Sequence, residues 1–258
     1  LPLDDAALLE LVRGVPGSPA DDPTGFHIAL LQRLRSAWPT AHPRAYDLDL
    51  GALDAAFPGL AEPDGPPGAT VIEEPPFVAI GPWQRATASQ LSAMPLVIKA
   101  PSNAYRLPWF RAMFPHARIR LLHLVRNPAA AINGLFDGWR SGGFHAHHMS
   151  EDLDIAGYTD HQPRSRRWWK YDLPPGWEAH ARSPLVDVCA LQWRRPHEAL
   201  LAQPPGMERR IFHFERFVRG AEERVGLMAE VSAWLGAPAD AVTLAGFREP
   251  PPTVMSTA

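Results

Sequence analysis

The spacing of apolar positions changes along the chain, and the change divides it. In residues 4–13, Leu8, Leu9 and Val12 recur at helical spacing behind Asp4 and Asp5, either of which can cap a first turn, and residues 26–38 are amphipathic in the same way. Proline- and glycine-rich breaks such as VPGSPADDP and EPDGPPGA separate these stretches, so residues 1–68 read as peripheral helices and loops. From residue 69 the apolar runs shorten and become β-branched: ATVIEE, PLVIKA, ARIRLLHLV and RRIFHFE, with helical segments between them. That alternation predicts an α/β fold with a mostly parallel sheet covered on both faces. Residues 133–182 are rich in Gly, His, Arg and Trp and read as too polar and irregular for the core, hence as a long insertion over a site. After it, residues 185–201 and 221–235 return to helical spacing, the second closing at Gly236 as a C-terminal cap would.

Composition narrows this picture. With 258 residues, 46% of them hydrophobic, the chain can build one large core, and a single domain over 1–258 is expected. The 29 prolines and 19 glycines stay short of the roughly 25–30% that marks low-complexity disorder, so the loops should be ordered. A net charge of -3 creates no field for a polyanion, which argues against nucleic acid as the main partner. Cys189 is the only cysteine, which excludes an intrachain disulfide and every multi-cysteine metal pattern and fits a reducing compartment. No run approaches the roughly 18 apolar residues of a membrane span, and LPLDD carries no basic export region, so a cytoplasmic protein without a membrane partner is expected.

Four places could carry chemistry. In VIKAPSNAYRLPWFRAMFP, Lys99 ends a predicted strand and Ser102 and Asn103 follow; a helix starting near Ser102 would offer free amides to an anion, and an exposed lysine beside an ordinary cap is the other reading. In RIRLLHLVRNPAAAINGLF, a strand runs into Arg126, Asn127 and Pro128; the guanidinium suits a phosphate or carboxylate, or a structural salt bridge. In VIEEPPFVAIGPW, Glu73 and Glu74 end a strand, and alternation lets at most one of them enter a site. In FHAHHMSEDLD, His145, His147 and His148 stand beside acids; the spacing permits metal capture, but no metal is expected, and a proton-accepting histidine is the better functional reading. RSRRWWKYDLPPGW interleaves cations and aromatics, as a packed loop or as a wall over a planar ligand.

KxP at one strand end, an FPxAR strand reaching LVRNP, the CALQWRRPHEALL helix and RRIFHFERFVRGAEERVGLMAEVSAWLG together resemble the sulfotransferase superfamily, of the bacterial small-molecule type, that uses 3'-phosphoadenosine 5'-phosphosulfate. The resemblance covers residues 69–258 in the family's order, with FREPPPTVMSTA similar to the start of its last loop. It implies a three-layer, P-loop-like α/β fold and sulfuryl transfer from that co-substrate to a hydroxyl or amine of a small-molecule acceptor. It further implies that Arg126 binds the donor's 3'-phosphate, that Lys99 faces the sulfuryl group, and that a Glu or His acts as base; among the candidates in this chain we rank Glu74 first, then Glu73, then His145. The family's serine eight residues after the arginine is Gly134 here, leaving Asn133 or a backbone amide as substitute. No PxSGT-like phosphosulfate loop precedes these motifs, so the expectation is a fragment lacking the first strand and the C-terminal end, inactive alone. The competing expectation is a non-catalytic nucleotide- or anion-binding module on the same scaffold.

Overall fold

The computed structural model describes residues 4–17, 21–39, 41, 48, 50–60, 65–67, 87–144, 146–203 and 206–249. Local capping starts the first helices where aspartates stand. The Asp4 carboxylate accepts from the Ala7 amide at 2.8 Å to open α1 (Asp5–Arg13), and Asp22 accepts from Gly25 at 2.9 Å, with proline in the first turn, to open α2 (Pro23–Ala37). A short α3 (Leu50–Ala56) packs Leu53 with Leu48 and Phe57 against Ile28 and Leu31 of α2, a satellite cluster apart from the main core. Thr87 and Gln90 form a reciprocal capping box on α4 (Ala88–Ala93).

The predicted PLVIKA strand is not formed. Residues 95–100 form neither helix nor strand and pair with no strand among the described residues, and Leu96 and Val97 are 70% and 73% exposed. An apolar run is necessary for a buried strand but does not supply the neighbour that its amides need. The helix expected from Ser102 is likewise absent: a 3-10 turn spans Pro101–Tyr105, and α5 (Leu107–Met113) begins only after it.

Beyond α5 the parallel reading is met in one pair of strands. Strand β1 (Arg120–Val125) leads through Asn127, whose side chain accepts from Ala130, into α6 (Pro128–Arg140). A small antiparallel pair follows, β2 (Ala146–His148) with β3 (Trp168–Lys170), then α7 (Leu185–Leu201) and β4 (Glu208–His213). Strand β4 pairs parallel with β1 in register from Arg120↔Glu208 to Val125↔His213. Alternation sends His123 and Arg209 to one face, where His123 meets His197 of α7 and Arg209 donates to Leu200 O at 3.0 Å. Helices α8 (Phe214–Arg219) and α9 (Ala221–Leu235) follow, and α9 covers the opposite face: Arg210 pairs with Glu230 at 2.8 Å and Arg120 lies over the Trp234 ring. Gly236 ends α9 at φ 78°, a left-handed cap that a residue with a Cβ would adopt only with strain. After it, α10 (Ala241–Ala245) is capped by Asp240, and buried Arg224 of α9 donates to Phe217 O of α8 and fastens the segment beyond α10 by donating to Phe247 O and Arg248 O. The described chain is thus mixed α/β, and none of its helices is long and apolar enough to cross a membrane.

The core lies where the sequence reading placed a polar insertion. Trp139, Met149, Leu153, Ile155, Tyr158 and Trp169 pack with Leu185, Val188 and Cys189 of α7. Trp139 meets Tyr158 and Trp169 edge to face at 4.8 and 5.2 Å, contacts worth roughly 0.5–1.5 kcal/mol each beyond the area they bury. Several polar groups in this segment are consumed internally. Gln192 accepts from Trp139 Nε1 and donates to Lys170 O and Asp172 O, each at 2.8 Å, while Tyr158 donates to Trp168 O. Buried Lys170 donates to Gly138 O and Ser141 O at the end of α6, where a cation suits the helix dipole, and burial pulls its pKa down to about 8. Part of the polarity of residues 133–182 therefore builds an interior network, while Arg140, Arg164, Arg166 and Arg167 stay exposed.

Candidate functional site

The parallel register carries β1 and β4 to the same level at Val125 and His213, so the residues just beyond, Arg126–Asn127 and Phe214–Glu215, face each other at the carboxyl end of the strand pair. The Arg126 guanidinium lies over the Phe214 ring, 5.1 Å from its centroid. The Asn127 amide donates to Glu215 Oε1 at 2.6 Å. Glu215 is held below the ordinary glutamate range, first by that bond, then by its own backbone amide, with His213 and Arg126 contributing through their charge. This turn thus already holds one carboxylate, and Arg126 stands exposed beside it with no carboxylate within ion-pair distance among the described residues. The turn has the chemistry of an anion site: a planar cation at a strand end next to the start of a helix. Phe214 is 36% exposed and serves as the platform under Arg126.

The other expected site residues fall elsewhere. Asn133 donates to Asp137 Oδ2 at 3.3 Å one turn along α6, so its amide is engaged within the helix. Gly134 is exposed, and a Cβ there would meet nothing within 4 Å. Lys99 stands on the exposed, unpaired stretch 95–100, not at the end of a buried strand; Ser102 is half-buried in the 3-10 turn that follows. Glu73, Glu74 and His145 lie outside the described residues. His148 stacks against Trp168 at 5.0 Å, and no group of three His, Cys, Asp or Glu among the described residues is placed to hold a metal. Trp169 is fully buried and Trp168 nearly so, which takes both from the proposed aromatic wall into the core.

One polar cluster was not foreseen. Tyr105, at the end of the 3-10 turn, has its phenol pushed up by burial and by the Asp172 carboxylate, while burial raises Asp172 itself and Arg106 and the phenol pull it back. Arg195 and Glu198 of α7, paired at 3.2 Å, complete the surroundings. Nothing in sequence spacing links Tyr105 with Asp172; the 3-10 turn packs on α7, and Gln192 of α7 holds Asp172 O.

Two grooves, of about 600 and 480 Å³, lie away from Arg126: one between α1 and α2 beside Glu10 and Arg33, the other at the amino ends of β1 and β4 beside Arg118 and Glu208. No family model, curated protein or solved structure matches the chain.

Proposed function

We propose that this chain is a sulfotransferase that places 3'-phosphoadenosine 5'-phosphosulfate at the carboxyl end of its parallel strands, in a three-layer α/β fold of the P-loop type, and transfers the sulfuryl group to a hydroxyl or amine of a small molecule. The observation that carries this reading is Arg126, an exposed guanidinium at the end of β1, in a turn whose next amide already binds a carboxylate. Sulfuryl transfer is an in-line displacement: the acceptor's oxygen or nitrogen bonds to sulfur as the bond from sulfur to the phosphate oxygen breaks. In this reading Arg126 binds the 3'-phosphate and fixes orientation, Lys99 offsets charge on the leaving oxygen, and Glu74, Glu73 or His145 takes the acceptor's proton.

A second reading, a nucleotide- or anion-binding module without catalysis, is favoured by two observations. Lys99 is solvent-exposed on an unpaired stretch, and Gly134 offers no side chain for a second phosphate contact. Calorimetry with adenosine 3',5'-bisphosphate and transfer of labelled sulfate from the donor separate the two. Binding that weakens by roughly 1.5–3 kcal/mol in Arg126→Ala, with turnover, supports the enzyme. Measured on the whole protein, binding without turnover supports the module, and no binding removes both.

A further inference from the structure

We infer that Glu215 is the positioning residue of the Arg126 turn: anchored on the Asn127 amide, its side-chain oxygen sets the path of the chain between β1 and α6, and with it the direction in which Arg126 leaves the Phe214 ring toward an anion. The inference rests on the nucleotide-binding reading above and adds to it a residue that touches no ligand.

Two consecutive residues of α8 hold two consecutive residues of the turn. Phe214 lies under the Arg126 guanidinium at 5.1 Å, and Glu215 accepts from the Asn127 amide at 2.6 Å. Asn127 is the residue at which the backbone leaves the strand, with φ -46° and ψ 125°, before Pro128 opens α6. Its side chain is occupied, accepting from Ala130 at 3.2 Å, and so cannot substitute for Glu215 in fixing its own amide. The parallel register makes the arrangement possible, because Val125 and His213 are partners and both chains turn away at the next residue. Strand pairing stops at that point, so a side-chain bond is what continues it.

The role needs an acceptor oxygen, not a negative charge. A carboxylate beside Arg126 lowers the local attraction for a phosphate, so a neutral amide of the same shape should hold the turn equally well and repel the ligand less. This separates Glu215→Gln from Glu215→Ala. The test is calorimetric titration of adenosine 3',5'-bisphosphate into wild type, Glu215→Gln and Glu215→Ala, well below each melting temperature, with hydrogen exchange of the Asn127 amide read by NMR. Glu215→Ala is expected to weaken binding by about three- to tenfold, the loss of one hydrogen bond, and to speed exchange at Asn127. Glu215→Gln is expected to keep wild-type exchange and bind at least as tightly. Equal weakening in both variants would overturn the positioning role, since charge and not shape would then matter. A lower melting temperature in Glu215→Ala with affinity and exchange unchanged would overturn it too, leaving a purely structural contact. If wild type binds no bisphosphate, the nucleotide reading fails and exchange alone decides: faster exchange in Glu215→Ala and not in Glu215→Gln supports the fixed turn, and no difference overturns it.

Discussion

His123 Nε2 lies 2.7 Å from His197 Nδ1, so the middle of β1 is tied to α7 by a bond between two imidazoles. One ring must donate and the other accept, which both can do only while at least one of them is neutral. His123 is 3% exposed, and burial, followed by the charges of His197, Arg209 and His213, lowers its pKa from 6.5 to about 4. His197 is lowered as well, by burial.

The sign of the pH effect follows. The unfolded chain takes up a proton at His123 near pH 6.5, whereas the folded chain resists until about pH 4, so stability falls as pH falls through that window. The loss attributable to His123 is about 3 kcal/mol at most. Urea denaturation at pH 7, 6, 5 and 4.5 should show this decline, and His123→Gln, which keeps a donor for His197 but cannot ionise, should flatten it. An equally steep decline in His123→Gln would place the acid sensitivity elsewhere.

What was legible in the sequence depended on how local its cause is. Helix α7 begins and ends where its spacing predicts, Asp4, one of the two candidate caps, opens α1, and Gly236 closes α9 as expected, because caps and amphipathic faces act within a turn or two of chain. RLLHLV and RRIFHFE became a parallel pair for a similar reason: both are short apolar runs followed by helices. PLVIKA has the same texture but has no partner strand among the described residues, and no property of the run itself could disclose that. The interior of residues 133–182 was hidden more deeply. Gln192 satisfies Trp139 across 53 positions of sequence, so part of a segment that looks polar is buried with partners its own composition does not contain. At the candidate site, Arg126 was visible as a strand-end cation, whereas Glu215 and Tyr105 acquire meaning only once β4 and α7 are in place.

Gln192 offers a direct test of that interior. Replacing it with Leu retains bulk but leaves Trp139 Nε1 and Lys170 O without their partner and takes one of two donors from Asp172 O, which still accepts from Trp169. Gln192→Leu should lower stability by about 2–4 kcal/mol in chemical denaturation, the cost of stranding buried polar groups. A loss below about 0.5 kcal/mol, within the range of surface changes, would mean the network is replaceable.

Gly138 packs its backbone against Tyr171. A Cβ at position 138 would lie 1.7 Å from the Tyr171 hydroxyl oxygen and 2.9 Å from the ring carbon bearing it. Gly138→Ala should therefore destabilise by about 1–3 kcal/mol despite the better helix propensity of alanine. Tyr171→Phe removes the nearer atom, so the double variant should recover about 1 kcal/mol over the sum of the single changes. Strict additivity in thermal denaturation would show that the two residues do not meet.

Gly134 tests the nucleotide reading from the other side of the turn. It lies on an exposed part of α6, eight residues after Arg126, and a Cβ there meets nothing within 4 Å, so a serine fits without displacing anything. Glycine is a poor helix residue, and Gly134→Ser should raise stability by about 0.5 kcal/mol whatever the chain binds. If the 3'-phosphate sits between Arg126 and this face of the helix, the added hydroxyl supplies a hydrogen bond to a charged acceptor. Adenosine 3',5'-bisphosphate should then bind about three- to tenfold tighter. The two effects part cleanly: melting temperature reports the helix and calorimetry reports the ligand. A stabilised variant with unchanged affinity would show that the bound phosphate, if any, lies away from Gly134, and a weakened affinity would show that the backbone at this position, bare of a side chain, is what the ligand approaches.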